Sequence, residues 1–96
     1  MRKYELMFIV KPDLEEGAIK TVFDSMKEVL VRKKANILEE KEMGQRELAY
    51  EIKKYKNGYY FYFLIEEEGS EAINEFDRLA LINENIIRHL IVRVDE

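Results

Sequence analysis

The 96-residue sequence contains no cysteine. Disulfides, thiolate nucleophiles and Cys-based zinc sites are therefore excluded, and the composition suits a reducing cytoplasm. His89 is the only histidine, set inside a branched apolar run. It is expected to be structural rather than catalytic or metal-ligating, and no histidine partner marks Ser25 or Ser70 as a nucleophile. The glycines, Gly17, Gly44, Gly58 and Gly69, are scattered, so neither a phosphate loop nor a dinucleotide fingerprint is present. The run Glu66-Glu67-Glu68 lacks the Asp/Asn and Gly spacing of a calcium loop. No apolar run approaches the roughly 20 residues that span a bilayer, and "MRKYELMFIV" alternates without a small-residue cleavage site. Neither a membrane segment nor a signal peptide is expected. There is also no excess of positive charge: the net charge is −4. A chain that gripped nucleic acid through bulk charge should be basic. This one needs a local basic patch or a basic partner beside it.

What is present is a globular composition, with 47% hydrophobic and 38% charged residues, expected to fold as one domain over residues 1–96. Glutamate and lysine abound while Gln45 is the only glutamine, a usage that suits a thermophilic source. The charges are segregated. Acidic clusters fall at Glu39, Glu40 and Glu42 and at Glu66 to Glu68; basic ones fall at Arg2-Lys3, at Arg32 to Lys34, and at Lys53, Lys54 and Lys56. An ordinary solvated surface is the competing reading of each cluster.

Residues 3 to 10 alternate. Tyr4, Leu6, Phe8 and Val10 make an apolar face, with Lys3, Glu5, Met7 and Ile9 on the other. Pro12 suits a turn, and Asp13 followed by Glu16 predicts a capping box. A helix is predicted to about Lys34, with Ile19, Val22, Phe23, Met26, Val29 and Leu30 as its stripe. Residues 36 to 55 predict a long strand, bent or bulged at Gly44, with Leu48, Tyr50 and Ile52 alternating against charged residues. Asn57-Gly58 predicts a type I′ hairpin turn, because both central residues of that turn need positive φ. A strand from Tyr59 returns. Ser70 is the predicted N-cap of a short second helix marked by Ala72, Ile73, Phe76, Leu79 and Ala80. Residues 86 to 94 predict a closing strand.

The order β-α-β-β-α-β predicts an α+β, ferredoxin-like fold: a four-stranded antiparallel sheet with two helices on one face. The other face is then bare. Along Tyr59 to Ile65, the odd set (Tyr59, Phe61, Phe63, Ile65) is the greasier one and is assigned to the core. Tyr60, Tyr62 and Leu64 are assigned to the open face, where tyrosine hydroxyls meet water or a partner. Met7 and Ile9 join them. On the last strand either Leu90 with Val92 or His89 with Ile91 points outward, and we assign Leu90 and Val92. A mid-sheet apolar patch of this kind is seldom left wet without use. Partner contact is therefore expected at Met7, Ile9, Tyr60, Tyr62, Leu90 and Val92, against a bland reading of a partly screened sheet face.

Other occupants of this topology fit less well. An acylphosphatase-like enzyme needs a cationic phosphate cradle after the first strand, and Lys11-Pro12-Asp13-Leu14 is a poor one, so no enzyme, cofactor or small-molecule substrate is expected. An RNA-recognition motif, the runner-up among RNA binders, carries aromatics on its third strand. "NGYYFYFL" aligns by its glycine, but Asn57 replaces the cation, Tyr60 replaces a small residue and Leu64 replaces the last aromatic.

The chain resembles a known family over nearly its whole length. The residues that carry the likeness are Met1-Arg2 with Tyr4-Glu5, Pro12, Gly44 with Arg46, "LAY" at Leu48-Ala49-Tyr50, Ile52, Lys54, Gly58-Tyr59, and "NENIIRHLIVR" from Asn83 to Arg93. The family is that of the sixth protein of the bacterial small ribosomal subunit, ribosomal protein S six. Many members carry proline where Glu51 stands here, and some carry a disordered C-terminal tail that this short C-terminus is expected to lack. The resemblance implies a ferredoxin-like fold, no catalysis, and a cytoplasmic, ribosomal location. It implies binding to small-subunit ribosomal RNA together with ribosomal protein S eighteen, as a heterodimer. By the same resemblance, RNA contact is expected at Arg2, Tyr4, Lys54 and Arg88, with Arg46 and Lys53 beside them; a core role competes at Tyr4. A homodimeric interaction or ligand-binding module of the same fold is the alternative from a different class.

Overall fold

The computed structural model describes residues 1–94. Its elements run β1 (Arg2–Val10), α1 (Glu16–Arg32), β2 (Asn36–Ile52), β3 (Tyr55–Glu67), α2 (Glu71–Ile82) and β4 (Ile86–Arg93). Among the described residues, four strands pair antiparallel in the order β2-β3-β1-β4. This is the ferredoxin-like arrangement that the element order predicts.

Strand parity and helix stripe meet in one core. Leu6, Phe8 and Val10 of β1 and Phe61, Phe63 and Ile65 of β3 pack against Ile19, Val22, Phe23, Met26 and Leu30 of α1 and Ala72, Phe76 and Ala80 of α2. Phe8 stacks on Phe61 with ring centroids 5.2 Å apart, and Phe23 stacks on Phe63 at 5.3 Å. Such offset contacts add to simple area burial. The odd set of β3 therefore lies beneath the helices, as its composition predicts.

The ends of the helices depart from expectation. Asp13 caps nothing: α1 begins at Glu16, Glu15 holds the N-cap position without a side-chain bond, and the predicted capping box does not form. Asp13 instead accepts a hydrogen bond from the Tyr55 hydroxyl at 3.3 Å. The exit of α1 is a Schellman turn. Lys34 takes φ 65°, its N–H donates to Val31 O and the Ala35 N–H donates to Leu30 O. At α2, Ser70 holds the predicted N-cap position, but its hydroxyl makes no capping bond. The cap comes from Glu67 at the end of β3, whose two carboxylate oxygens accept the N–H groups of Ala72 and Ile73, each at 3.1 Å. The carboxylate thus satisfies orphan donors and sits at the positive end of the helix dipole.

The β2–β3 hairpin turns earlier than Asn57-Gly58 predicts. β2 ends at Ile52, Ile52 pairs with Tyr55, and the turn is Lys53-Lys54, with φ 50° and 73°. Asn57 and Gly58 lie inside β3, opposite Glu47 and Arg46. Gly58 is required by packing instead. A Cβ there would come within 2.5 Å of Ile9 Cγ2 and 3.0 Å of the Val10 carbonyl oxygen. A turn at Asn57-Gly58 would also remove Ile52 and Tyr55 from the apolar cluster they help to build with Ile9, Leu48 and Ile87. Gly44 does interrupt β2, at φ 80°, where the register shifts between Glu42 and Gly44.

Candidate functional site

The face opposite the helices carries the odd residues of β1 and the even residues of β3. Register places Met7 beside Tyr62 and Leu90, Glu5 beside Leu64 and Val92, and Ile9 beside Tyr60 and Arg88. Leu90 and Val92 are 52% and 41% exposed, so the last strand faces as assigned. Its partner set lies inward: His89 binds Asp77 of α2 at 2.7 Å and meets the Phe76 ring edge-on, which makes it structural. A bulge opposite Ile9 and Val10 lets β4 bury two consecutive residues, Ile86 in the main core and Ile87 on the open side.

Two expected contact residues are not accessible. Tyr4 is 5% exposed and belongs to the main core, so its ring is out of reach of an RNA backbone. It has the parity of Leu6 and Phe8, and that parity decides. Ile9 is on the open face, yet only 6% exposed, because the β2–β3 hairpin folds Leu48 over it. It supports the floor of the face rather than its surface.

The hairpin divides the face in two. Toward the β3 C-terminus the surface is polar. The Tyr62 hydroxyl donates to Glu5 Oε2 at 2.7 Å, and Lys41 Nζ lies 5.6 Å from the Tyr62 ring centroid. Burial, then the Glu5 hydrogen bond and the charges of Glu5 and Glu39, push the Tyr62 phenol from its usual 10 up to about 12. Toward the hairpin the surface becomes an apolar groove of about 200 Å³, lined by Met7, Ile9, Leu48, Tyr50, Ile52, Tyr60 and Leu90, with Arg88 among its walls. Arg88 donates to the Tyr50 hydroxyl, and its guanidinium carbon lies 5.9 Å from the Tyr50 ring centroid.

The expected RNA-contact cations are brought together only in part. Arg46 lies on β2 opposite Gly58, Lys53 and Lys54 form the hairpin tip, and Arg88 reaches that hairpin through Tyr50. Arg2 starts β1, eight residues from Val10, so it stands roughly 26 Å away at about 3.3 Å per residue. Tyr50 was not among the expected contacts. Its place in the alternation Leu48-Tyr50-Ile52, an aromatic between two aliphatic residues in a charged strand, is the signal that marks it. Glu67 was likewise readable, as a carboxylate at core parity on β3 just before a helix.

Among the described residues no group of three or more His, Asp or Glu side chains could hold a metal ion. The third-strand aromatics of an RNA-recognition motif would present Tyr59 and Phe61 outward, whereas here they pack on the helix side.

A family model described as Ribosomal protein S6 matches residues 3–93. The crystal structure of 30S ribosomal protein S6 from Thermotoga maritima is similar at a TM-score of 0.92 and 31% sequence identity, over 97% of this chain and 87% of that one. The chain therefore belongs to the ribosomal protein S6 family, a constituent of the small ribosomal subunit in the bacterial cytoplasm.

Proposed function

We propose that this protein, as a single domain, binds small-subunit ribosomal RNA as half of a heterodimer with ribosomal protein S eighteen. Its role is architectural, without catalysis. The observation that carries this reading is the uncovered sheet face of an acidic chain. The helices leave Met7, Tyr60, Leu90 and Val92 without a covering layer, while the net charge is −4. A basic partner on that face supplies both a cover for the apolar surface and the positive charge that RNA demands. Met7, Tyr60, Tyr62, Leu90 and Val92 are the partner contacts; Tyr4 and Ile9 are withdrawn from the contact sets because they are buried. Arg46, Lys53, Lys54 and Arg88 bind phosphate or sugar at the hairpin end, and Arg2 makes a separate contact at the other end. Such contacts position the protein rather than read sequence.

RNA affinity measured across a salt series, with and without the S eighteen partner, tests this. The partner is expected to raise affinity. Lys54→Ala and Arg88→Ala are each expected to weaken binding and to reduce the slope of log affinity against log salt by roughly 0.7–0.9. A stable homodimer in sedimentation, with no gain in RNA affinity on adding the partner, would sink the proposal and favour the homodimeric module.

A further inference from the structure

The structure assigns a second kind of RNA contact to Tyr50: a platform on which an unpaired base stacks. This rests on the RNA-binding reading above and adds a specific mode of contact to it.

Tyr50 is 62% exposed. Its neighbours in the alternation, Leu48 and Ile52, turn into the small apolar cluster beneath the hairpin, so the strand that carries the ring is anchored from below. The ring stands in water on the wall of the apolar groove, accessible to a ligand. Its orientation is also held. Arg88, from a different strand, donates to its hydroxyl and places a guanidinium near the ring. A ring fixed before binding loses little rotational freedom when a ligand arrives.

The local charge selects the ligand. From Arg46 to Lys56 the hairpin carries four cations (Arg46, Lys53, Lys54, Lys56) against two carboxylates (Glu47, Glu51), in a chain whose net charge is −4. Arg88 adds a fifth cation at the ring itself. An aromatic plane flanked by Arg and Lys suits a nucleobase whose own phosphates lie on the cations. The Tyr50 hydroxyl accepts from Arg88 and keeps a single O–H to donate, so the π-face, which every base can stack on, carries most of the contact. The stacked base is therefore selected for being unpaired rather than for its identity.

The test uses the heterodimer on small-subunit ribosomal RNA, with Tyr50→Leu, Tyr50→Phe and Lys54→Ala. Thermal melts of each protein check that the fold is kept. Tyr50→Leu is expected to lose roughly 10- to 100-fold in affinity with an unchanged salt slope, since no phosphate contact goes with the ring. Tyr50→Phe keeps the plane and is expected to stay within about threefold of the parent. If Tyr50→Leu binds RNA like the parent while Lys54→Ala shows the shallower slope, stacking is overturned and the RNA reading survives. If neither variant changes RNA binding, both readings fail. If Tyr50→Leu weakens the heterodimer when no RNA is present, the ring belongs to the protein interface and the platform is overturned.

Discussion

Adjacent residues of β3 serve two surfaces built on opposite rules. Phe61, Phe63 and Ile65 enter a core of stacked rings, beside which Glu67, the one buried charged residue among the described residues, spends its carboxylate on a helix end. Tyr60, Tyr62 and Leu64 stand one residue away on a face where the Tyr62 hydroxyl is satisfied by Glu5 and the aliphatic side chains of Leu90 and Val92 stay wet. The difference teaches that one strand can hold a packed core and an accessible surface in separate registers. A substitution can then be aimed at one without the other.

The sharpest break in that comparison is Phe63→Ala. Phe63 is fully buried, and truncation is expected to cost about 3–5 kcal/mol, a large share of the 5–15 kcal/mol typical of a domain. Denaturant unfolding measures it. Glu67→Ala should come next. It strips the cap from α2 and leaves buried N–H groups unsatisfied, a loss of about 1–3 kcal/mol, with faster amide exchange at Ala72 and Ile73 as its local signature. On the open face, Tyr62→Ala should shift unfolding by only about 1 kcal/mol while lowering affinity for the S eighteen partner. Unfolding as severe as that of Phe63→Ala would mean the two faces are not separable.

The smallest effect sharpens the comparison through pH. The fold raises the Tyr62 phenol to about 12, chiefly by burial and then by Glu5. A raised value means the neutral form is the one the fold prefers. That contribution is complete below the ordinary value near 10 and is lost as pH rises through about 12. In an alkaline ultraviolet titration one tyrosine should ionise late and vanish from the late phase in Tyr62→Phe. Glu5→Gln should move it only part of the way down, because burial remains. A full return to ordinary behaviour would mean that Glu5, and not desolvation, dominates.

Period-two and helical patterning made the core, the open face and the outward pair Leu90 and Val92 legible before any coordinates, because each depends on which way successive side chains point. Turn chemistry was less transparent. Asn57-Gly58 carries the strongest local hairpin signal in the chain, yet Gly58 is claimed by its approach to Ile9 and Val10. The Lys53-Lys54 turn has no preferred turn residue and is imposed by Leu48, Ile52 and Tyr55 closing over Ile87. Capping failed as a local inference for the same reason. Asp13 and Ser70 have suitable side chains, but Asp13 is engaged by Tyr55 and the α2 donors are met from the sheet. The burial of Tyr4 was readable by parity. The burial of Ile9 was not, because the residue that covers it comes from a hairpin whose turn sits elsewhere than the local signal predicts.

Two consecutive lysines in left-handed conformation cost about 1–2 kcal/mol each relative to a glycine that adopts the same angles freely. A chain refined for heat resistance alone would carry Asn-Gly at this tip. Keeping lysines there exchanges melting temperature for charge at the hairpin tip. An engineer who relaxed this turn would obtain a sturdier protein with less positive charge at the hairpin tip.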